Sequence, residues 1–218
     1  MNGRILRPGL AVVALGLLAV RSAGGSMVPE RDETAVFAGG CFWGVEAVFR
    51  HVNGVKSAES GYAGGTVANP SYEQVSSGRT GHAESVRVVF DASRVSYSQL
   101  LGVFFTVAHD PTQRDRQGPD VGTQYRAAIF YVDDAQRQAA LSYIDSLRGA
   151  RKSRGAIVTQ VVPLRAFYVA EDSHQDYLAR HPDDPYIVYN DAPKLVALRN
   201  RFPELYRAAG ESRSQRLH

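Results

Sequence analysis

Thr34-Ala-Val-Phe-Ala38, then Gly39-Gly40, then Cys41-Phe-Trp-Gly-Val-Glu-Ala-Val-Phe-Arg-His-Val52, then Asn53-Gly54 read in order as strand, turn, helix and stop. The first run is short and apolar. The two glycines break it. Val45, Val48, Phe49 and Val52 then recur at the spacing of one helical face, and Asn-Gly ends the helix. Working outward, Val55 to Tyr62 reads as a second strand. Ala83 to Phe90 alternates, with Val86, Val88 and Phe90 on one side, as a half-buried strand does. Ser96 to Ala108 reads as a helix with Ser96 as its N-cap. Gln124 to Val132 reads as a strand, and Asp134 to Leu147 as a helix capped by Asp133 or Asp134.

Val158 to Pro163 and Arg165 to Val169 read as short strands. A short helix follows around Asp172 to Leu178, and the rest reads mostly as loop. This order predicts an α+β domain: a two-layer, ferredoxin-like sandwich of helices on a mixed sheet, with a mostly irregular C-terminal segment. The connections Ala63–His82 and His109–Gly122 are longer than usual, which marks them as active-site loops.

The chain has 218 residues, 44% of them apolar and 22% charged, which suits one folded domain. Residues 1–26 differ from the rest. Arg4 and Arg7 precede an apolar run from Leu10 to Val20, small residues follow, and no acid precedes Glu30. That pattern fits a secretory signal and predicts an exported protein, periplasmic or membrane-anchored. The position of Arg21 keeps an uncleaved anchor and a mitochondrial leader open. Loss of Arg4, Arg7 and Arg21 would bring the net charge of +3 to about zero. The catalytic domain is then expected over 33–207, with a disordered tail at 208–218. Basic residues cluster at Arg148–Arg154 without interleaved aromatics, so no nucleic-acid surface is expected.

Cys41 is the one cysteine. This rules out an internal disulfide and a multi-cysteine zinc site. Its place at the start of a helix, where amide N–H groups point outward, favours a thiolate and a lowered thiol pKa. The helix alone is insufficient. Lowering a thiol from ~8.5 to ~6.5 takes about 2.7 kcal/mol, and a helix terminus supplies ~0.3–1 kcal/mol. Glu84 opens an apolar strand after Gly81-His82-Ala83, and reads as a strand-edge salt-bridge partner or as a buried general acid. Asp120 caps a turn or serves a site, and Tyr125 packs on a strand or donates a hydrogen bond.

Gly39-Gly-Cys-Phe-Trp-Gly-Val-Glu46, Gly61-Tyr-Ala-Gly-Gly65, Asn69-Pro-Ser-Tyr-Glu73, Thr80-Gly-His-Ala-Glu84, His109-Asp-Pro-Thr-Gln113 and Asp120-Val-Gly-Thr-Gln-Tyr-Arg126 together resemble peptide-methionine (S)-S-oxide reductase, the A class of methionine sulfoxide reductases. Glu171–Tyr177 and Tyr189–Pro193 extend the resemblance. It implies that Cys41 attacks the sulfoxide sulfur, that Glu84 protonates the oxygen, and that Tyr72 and Tyr125 hydrogen-bond to it. Asp120 would support the site, and Phe42 and Trp43 would wall in the methyl group on sulfur. Methionine would leave and Cys41 would remain as a sulfenic acid. No metal or other cofactor is implied. Many members carry resolving cysteines near the C-terminus or ahead of the Gly-His-Ala-Glu motif. Here Ser76 stands at the latter position and no cysteine follows Cys41, so an external thiol must regenerate the enzyme: thioredoxin, glutaredoxin or a small thiol. Substrates would be oxidised proteins or free methionine sulfoxide, and the protein is expected to act as a monomer.

Two rival readings have distinct signatures. A cysteine–histidine hydrolase would use His82 or His174 as base, whereas a non-catalytic binding module would use Phe42 and Trp43. His82, His109 and His174 are otherwise expected to be hydrogen-bonded structural histidines.

Overall fold

The structure is a computed structural model that describes residue 1, residues 31–150 and residues 155–208. The expected signal over 1–26 and nearly all of the 208–218 tail lie outside the described residues.

Eight strands and six α-helices are found among the described residues. β1 (Asp32–Gly39), β2 (Val55–Ala63), β3 (Ala83–Asp91), β6 (Ala127–Tyr131), β7 (Gln160–Pro163) and β8 (Phe167–Val169) form one sheet in the order β7-β6-β1-β3-β2-β8. β6 and β7 are parallel and every other pair is antiparallel, so the sheet is mixed. β4 (Arg116–Gln117) and β5 (Asp120–Val121) make a separate small hairpin.

Period-2 alternation sorts the side chains between the two faces. Phe37 on β1, Val86, Val88 and Phe90 on β3, and Ile129 on β6 enter the main core beneath the helices. Val36, Ala38, Ala83, Ala128 and Phe130 face the other side with Val162 and Phe167. Glu84 shares the parity of Val86 and Val88, and this places it on the helix side, opposite Tyr62 in register.

α1 (Phe42–Arg50) packs its apolar stripe on this face, with Phe49 stacked on Phe37 at 5.0 Å between centroids. α3 (Tyr97–Val103) starts from Ser96 in a reciprocal capping box with Gln99, then widens into a π-turn over Phe104–Ala108. Phe104 also stacks on Phe37, at 4.9 Å. α4 (Asp134–Gly149) is capped by the Asp133 side chain, which accepts from the Gln136 amide. The two-layer α+β expectation holds.

Three local expectations are corrected. The first long loop contains a short helix, α2 (Tyr72–Ser76), closed by a Ser71–Gln74 capping box. Gln124 and Tyr125 belong to a 3-10 turn ahead of β6, because Gly122 adopts φ +146° and the Arg126 guanidinium caps the Thr123 carbonyl. The C-terminal segment is more regular than a loop. A 3-10 turn at Asp172–His174 and α5 (Tyr177–Arg180) stand where the short helix was expected. Beyond them come a π-turn over Ile187–Asp191 and α6 (Ala192–Arg201). Pro193 reads as a breaker, but it lies in the first turn of α6, where its missing N–H costs nothing. Leu198 of α6 is fully buried.

Candidate active site

Cys41 is the N-cap of α1, with φ −52° and ψ 122°, half in the helix and not its first helical residue. Gly40 before it has φ +94°, and a Cβ there would lie 2.5 Å from the Cβ of Gln117. Only glycine lets the chain turn so tightly against the 110–117 loop. Gln117 in turn holds that loop, accepting from the Asp110 amide at 3.0 Å and donating to the Asp110 carbonyl at 2.8 Å.

Cys41 is 8% exposed. Among the described residues no helix amide caps it with ordinary hydrogen-bond geometry, although the Trp43 amide lies close enough to act on it. The expected lowering of the thiol pKa is therefore reversed. Burial raises it well above its ordinary value, the Glu84 and Asp191 carboxylates push the same way, and the Trp43 amide and Lys194 oppose them without prevailing. The free amide of the first helical residue serves another group: the Phe42 N–H donates to Glu84 Oε2 at 3.0 Å.

Glu84 is 2% exposed. Burial pushes its carboxyl up to about 8 against the Phe42 hydrogen bond, and Asp120 and Asp191 add to the rise. At pH 7 the protonated form thus predominates about ten to one. Tyr72, at the start of α2, and Tyr125 are raised by burial first and by Glu84 second, and both also sense the Cys41 thiolate. The Tyr72 amide donates to Glu171 Oε1 and the Tyr62 hydroxyl to Glu171 Oε2, both at 2.8 Å. Glu171 thereby fastens the α2 loop to the sheet.

A cavity of about 250 Å³ opens beside Cys41. Of the expected residues, Cys41 and Asp120 line it, together with Tyr186, Asn190 and Lys194. Asp120 accepts a short hydrogen bond from the Tyr186 hydroxyl. Phe42 is fully buried, tilted against Tyr62 and stacked on Tyr72. Trp43 lies flat on Tyr177 at 3.7 Å and donates its indole N–H to His174 Nδ1 at 3.2 Å. Neither ring lines this cavity.

The histidines are occupied elsewhere. His82 accepts from the Gly65 amide and donates to the Val67 carbonyl. His109 bridges the Phe104 carbonyl and Thr159. His174 accepts from Trp43, and burial lowers its pKa. No histidine makes a hydrogen bond to Cys41 among the described residues, which leaves the hydrolase reading without a base. Among the same residues, no group of three or more histidine, cysteine or acidic side chains could hold a metal ion.

Sequence reasoning missed Tyr186, Asp191 and Lys194. In the sequence, Tyr189–Pro193 stands out only as part of a motif. Glu46 was also unassigned. It is buried at 1%, accepts from Ser60 Oγ at 2.7 Å and from the Asp176 amide at 3.0 Å, and ties α1 to β2 and to the C-terminal segment.

A buried thiol and a largely protonated carboxyl close enough to act on each other, on an α+β sheet, fit a thiol-dependent oxidoreductase. The comparisons narrow the class. The family description "Peptide methionine sulfoxide reductase" matches residues 33–205. Peptide methionine sulfoxide reductase MsrA 2 of Mesorhizobium japonicum is 56% identical over 175 residues, which cover 80% of this chain and 90% of that one. The MsrA 2 of Synechocystis is 51% identical, covering 81% and 82%. Among solved structures, methionine sulfoxide reductase A of Corynebacterium diphtheriae superposes with a TM-score of 0.62 at 39% identity, over 69% of this chain and 76% of that one. Reduced Mxr1 of Saccharomyces cerevisiae gives a TM-score of 0.64 at 32% identity, over 70% and 87%. The chain belongs to the peptide methionine sulfoxide reductase family, and it reduces methionine sulfoxide to methionine.

Proposed function

We propose that the reaction is specific for the S-epimer of methionine sulfoxide and runs through a sulfenic acid on Cys41, regenerated by an external thiol. The observation that carries this reading is the Glu84 carboxyl, held largely protonated beside the thiol while its Oε2 accepts the Phe42 amide.

A sulfoxide sulfur is weakly electrophilic until its oxygen takes up a proton. Glu84 supplies that proton, and Tyr72 and Tyr125 donate hydrogen bonds to the same oxygen. Cys41 thiolate attacks, the sulfur–oxygen bond of the substrate breaks as a sulfur–oxygen bond to Cys41 forms, and methionine leaves with its sulfur reduced while Cys41, oxidised by the same two electrons, holds the protonated oxygen as a sulfenic acid. Glu84, now ionised, keeps the Phe42 N–H as its donor, which offsets part of its charge. Asp120, fixed by Tyr186, orders the mouth of the cavity. Phe42, stacked on Tyr72, and Trp43, stacked on His174, supply the apolar side for the methyl group from outside the cavity that Asp120 lines.

These 218 residues contain no second thiol to condense with the sulfenic acid. An outside thiol therefore attacks it, releasing water, and a second thiol resolves the mixed disulfide. Thioredoxin, glutaredoxin and small thiols all have this chemistry. Oxidised proteins and free methionine sulfoxide are both substrates in this reading, and the enzyme acts in protein repair under oxidative stress.

The decisive assay supplies purified protein with each sulfoxide epimer and dithiothreitol. Turnover of the S-epimer alone is expected, and none with that epimer would refute the reading. With one equivalent of substrate and no reductant, Cys41 should gain about 16 Da, the mass of one added oxygen. The pattern of residues 1–26 favours export, the enzyme is taken to act as a monomer, and cell fractionation and analytical ultracentrifugation test the two points in turn.

A further inference from the structure

Asp191 is fully buried at the entrance to α6. Its Oδ1 accepts from Lys194 Nζ at 3.0 Å. Its Oδ2 is buried and accepts no hydrogen bond among the described residues. The pair presses on Gly44, three residues beyond Cys41 and on the same side of α1. A Cβ at Gly44 would meet Asp191 Oδ1 at 2.0 Å and Lys194 Nζ at 2.9 Å. Lys194 also lines the cavity that Cys41 lines, and among the described residues it is the one lysine or arginine there. The ionisable groups acting on Asp191 or sensing it are Lys194, Asp120, Glu84, Cys41 and Tyr186. An unpartnered buried carboxylate oxygen in such company needs a reason.

We propose that Asp191 is the proton acceptor that converts Cys41 from thiol to thiolate, with Lys194 as the cation that keeps Asp191 ionised until it does so. The proposal rests on Cys41 being the nucleophile. A thiolate formed beside an ionised Asp191 is repelled. Moving the thiol proton onto that same carboxylate removes the repulsion in the step that creates the thiolate. The S–H bond breaks and an O–H bond forms, with no electron gained or lost. Thiol, carboxylate and ammonium sum to zero charge, and so do thiolate, carboxylic acid and ammonium. Glu84 loses one proton to the sulfoxide oxygen as Asp191 gains one, so the proton count on the two carboxyls is conserved.

The division of labour follows the two environments. Among the described residues the charges that bear on Glu84 are those of Asp120 and Asp191, with no cation among them, and it stays largely protonated, as an acid must. Burial also raises Asp191, but Lys194 at 3.0 Å pulls it back towards the ionised form, as a base requires. The two carboxyls and the thiol titrate as one coupled set.

Alkylation of Cys41 by iodoacetamide, followed from pH 6 to 9, tests this without sulfoxide. Asp191→Asn keeps the shape and an oxygen for Lys194 but accepts no proton. It should react at least tenfold more slowly at pH 7, with its midpoint displaced upward. A carboxylate that only repels predicts the opposite sign, because its removal would speed alkylation. An unchanged or faster rate therefore overturns the proposal. Lys194→Gln still donates to Oδ1 but lets Asp191 protonate. It too should slow alkylation, and an unchanged or faster rate there overturns the proposal even if Asp191→Asn does not fold. Turnover of the S-epimer by the unaltered enzyme is measured separately. Its absence would count against the reductase mechanism while leaving the alkylation result readable.

Discussion

Replacing Glu84 with Gln isolates the feature on which the chemistry depends. The glutamine oxygen can still accept the Phe42 amide, and the side-chain volume barely changes. What disappears is the titration. In the folded chain the carboxyl is raised from 4.5 to about 8, chiefly by burial, whereas in the unfolded chain it titrates near ~4.3. Between those values the native state holds a proton that the unfolded state has lost. Stability supplied by the protonated form is fully present below about pH 4.5 and is lost as pH rises through about 8. The slope is about 1.4 kcal/mol per pH unit, so the whole interval accumulates on the order of 5 kcal/mol. The variant escapes this loss. Urea unfolding of both proteins at pH 5, 6, 7 and 8 should show the variant gaining on the parent at each step. In the same variant, single-turnover reduction should fall by ~10²-fold or more, the usual contribution of a general acid. A stability gap that stays flat from pH 5 to 8 would mean that Glu84 is an ordinary carboxylate, and the reasoning about the acid would fail with it.

Three other perturbations probe the frame around the site. Phe37→Ala removes the ring on which both Phe49 and Phe104 stack and should cost ~3–5 kcal/mol in urea unfolding; a loss below ~1 kcal/mol would show that this stack is not central. Gly44→Ala drives a methyl group into Asp191 and Lys194. It should destabilise the fold by ~1–3 kcal/mol in thermal unfolding, and full stability with full activity would show that α1 and α6 have room to part. Tyr186→Phe removes the hydroxyl that holds Asp120. Stopped-flow reduction should slow roughly tenfold, as the loss of about 1.4 kcal/mol would give, and an unaltered rate would free Asp120 from any positioning role.

Much of the frame is legible in the sequence because its causes are local. The alternation of Val86, Val88 and Phe90 fixes β3 and the face on which Glu84 lies. Gly39-Gly40 followed by the Val45–Val52 spacing fixes the strand–helix turn at Cys41. Ser96 and Asp133 are caps that act within three residues of themselves. Where local rules compete, reading them singly fails. Pro193 argues against a helix unless it is known to stand in the first turn. The alternating run from Gln124 looks like strand until Gly122 and the Arg126 side chain close a turn.

By itself, then, the sequence determined the order of elements, the single thiol and its need for an outside reductant. Tertiary structure decided the charge state of the site. Cys41, Glu84 and Asp191 are separated by 43 and 107 residues of chain, and no local pattern predicts that burial will set them together. The sequence places the thiol at a helix entrance and so suggests easy ionisation. Packing buries it among carboxylates, gives the first helix amide to Glu84, and raises both groups. Local rules follow from short-range backbone geometry, whereas a pKa follows from desolvation and from charges that only the folded chain brings within reach.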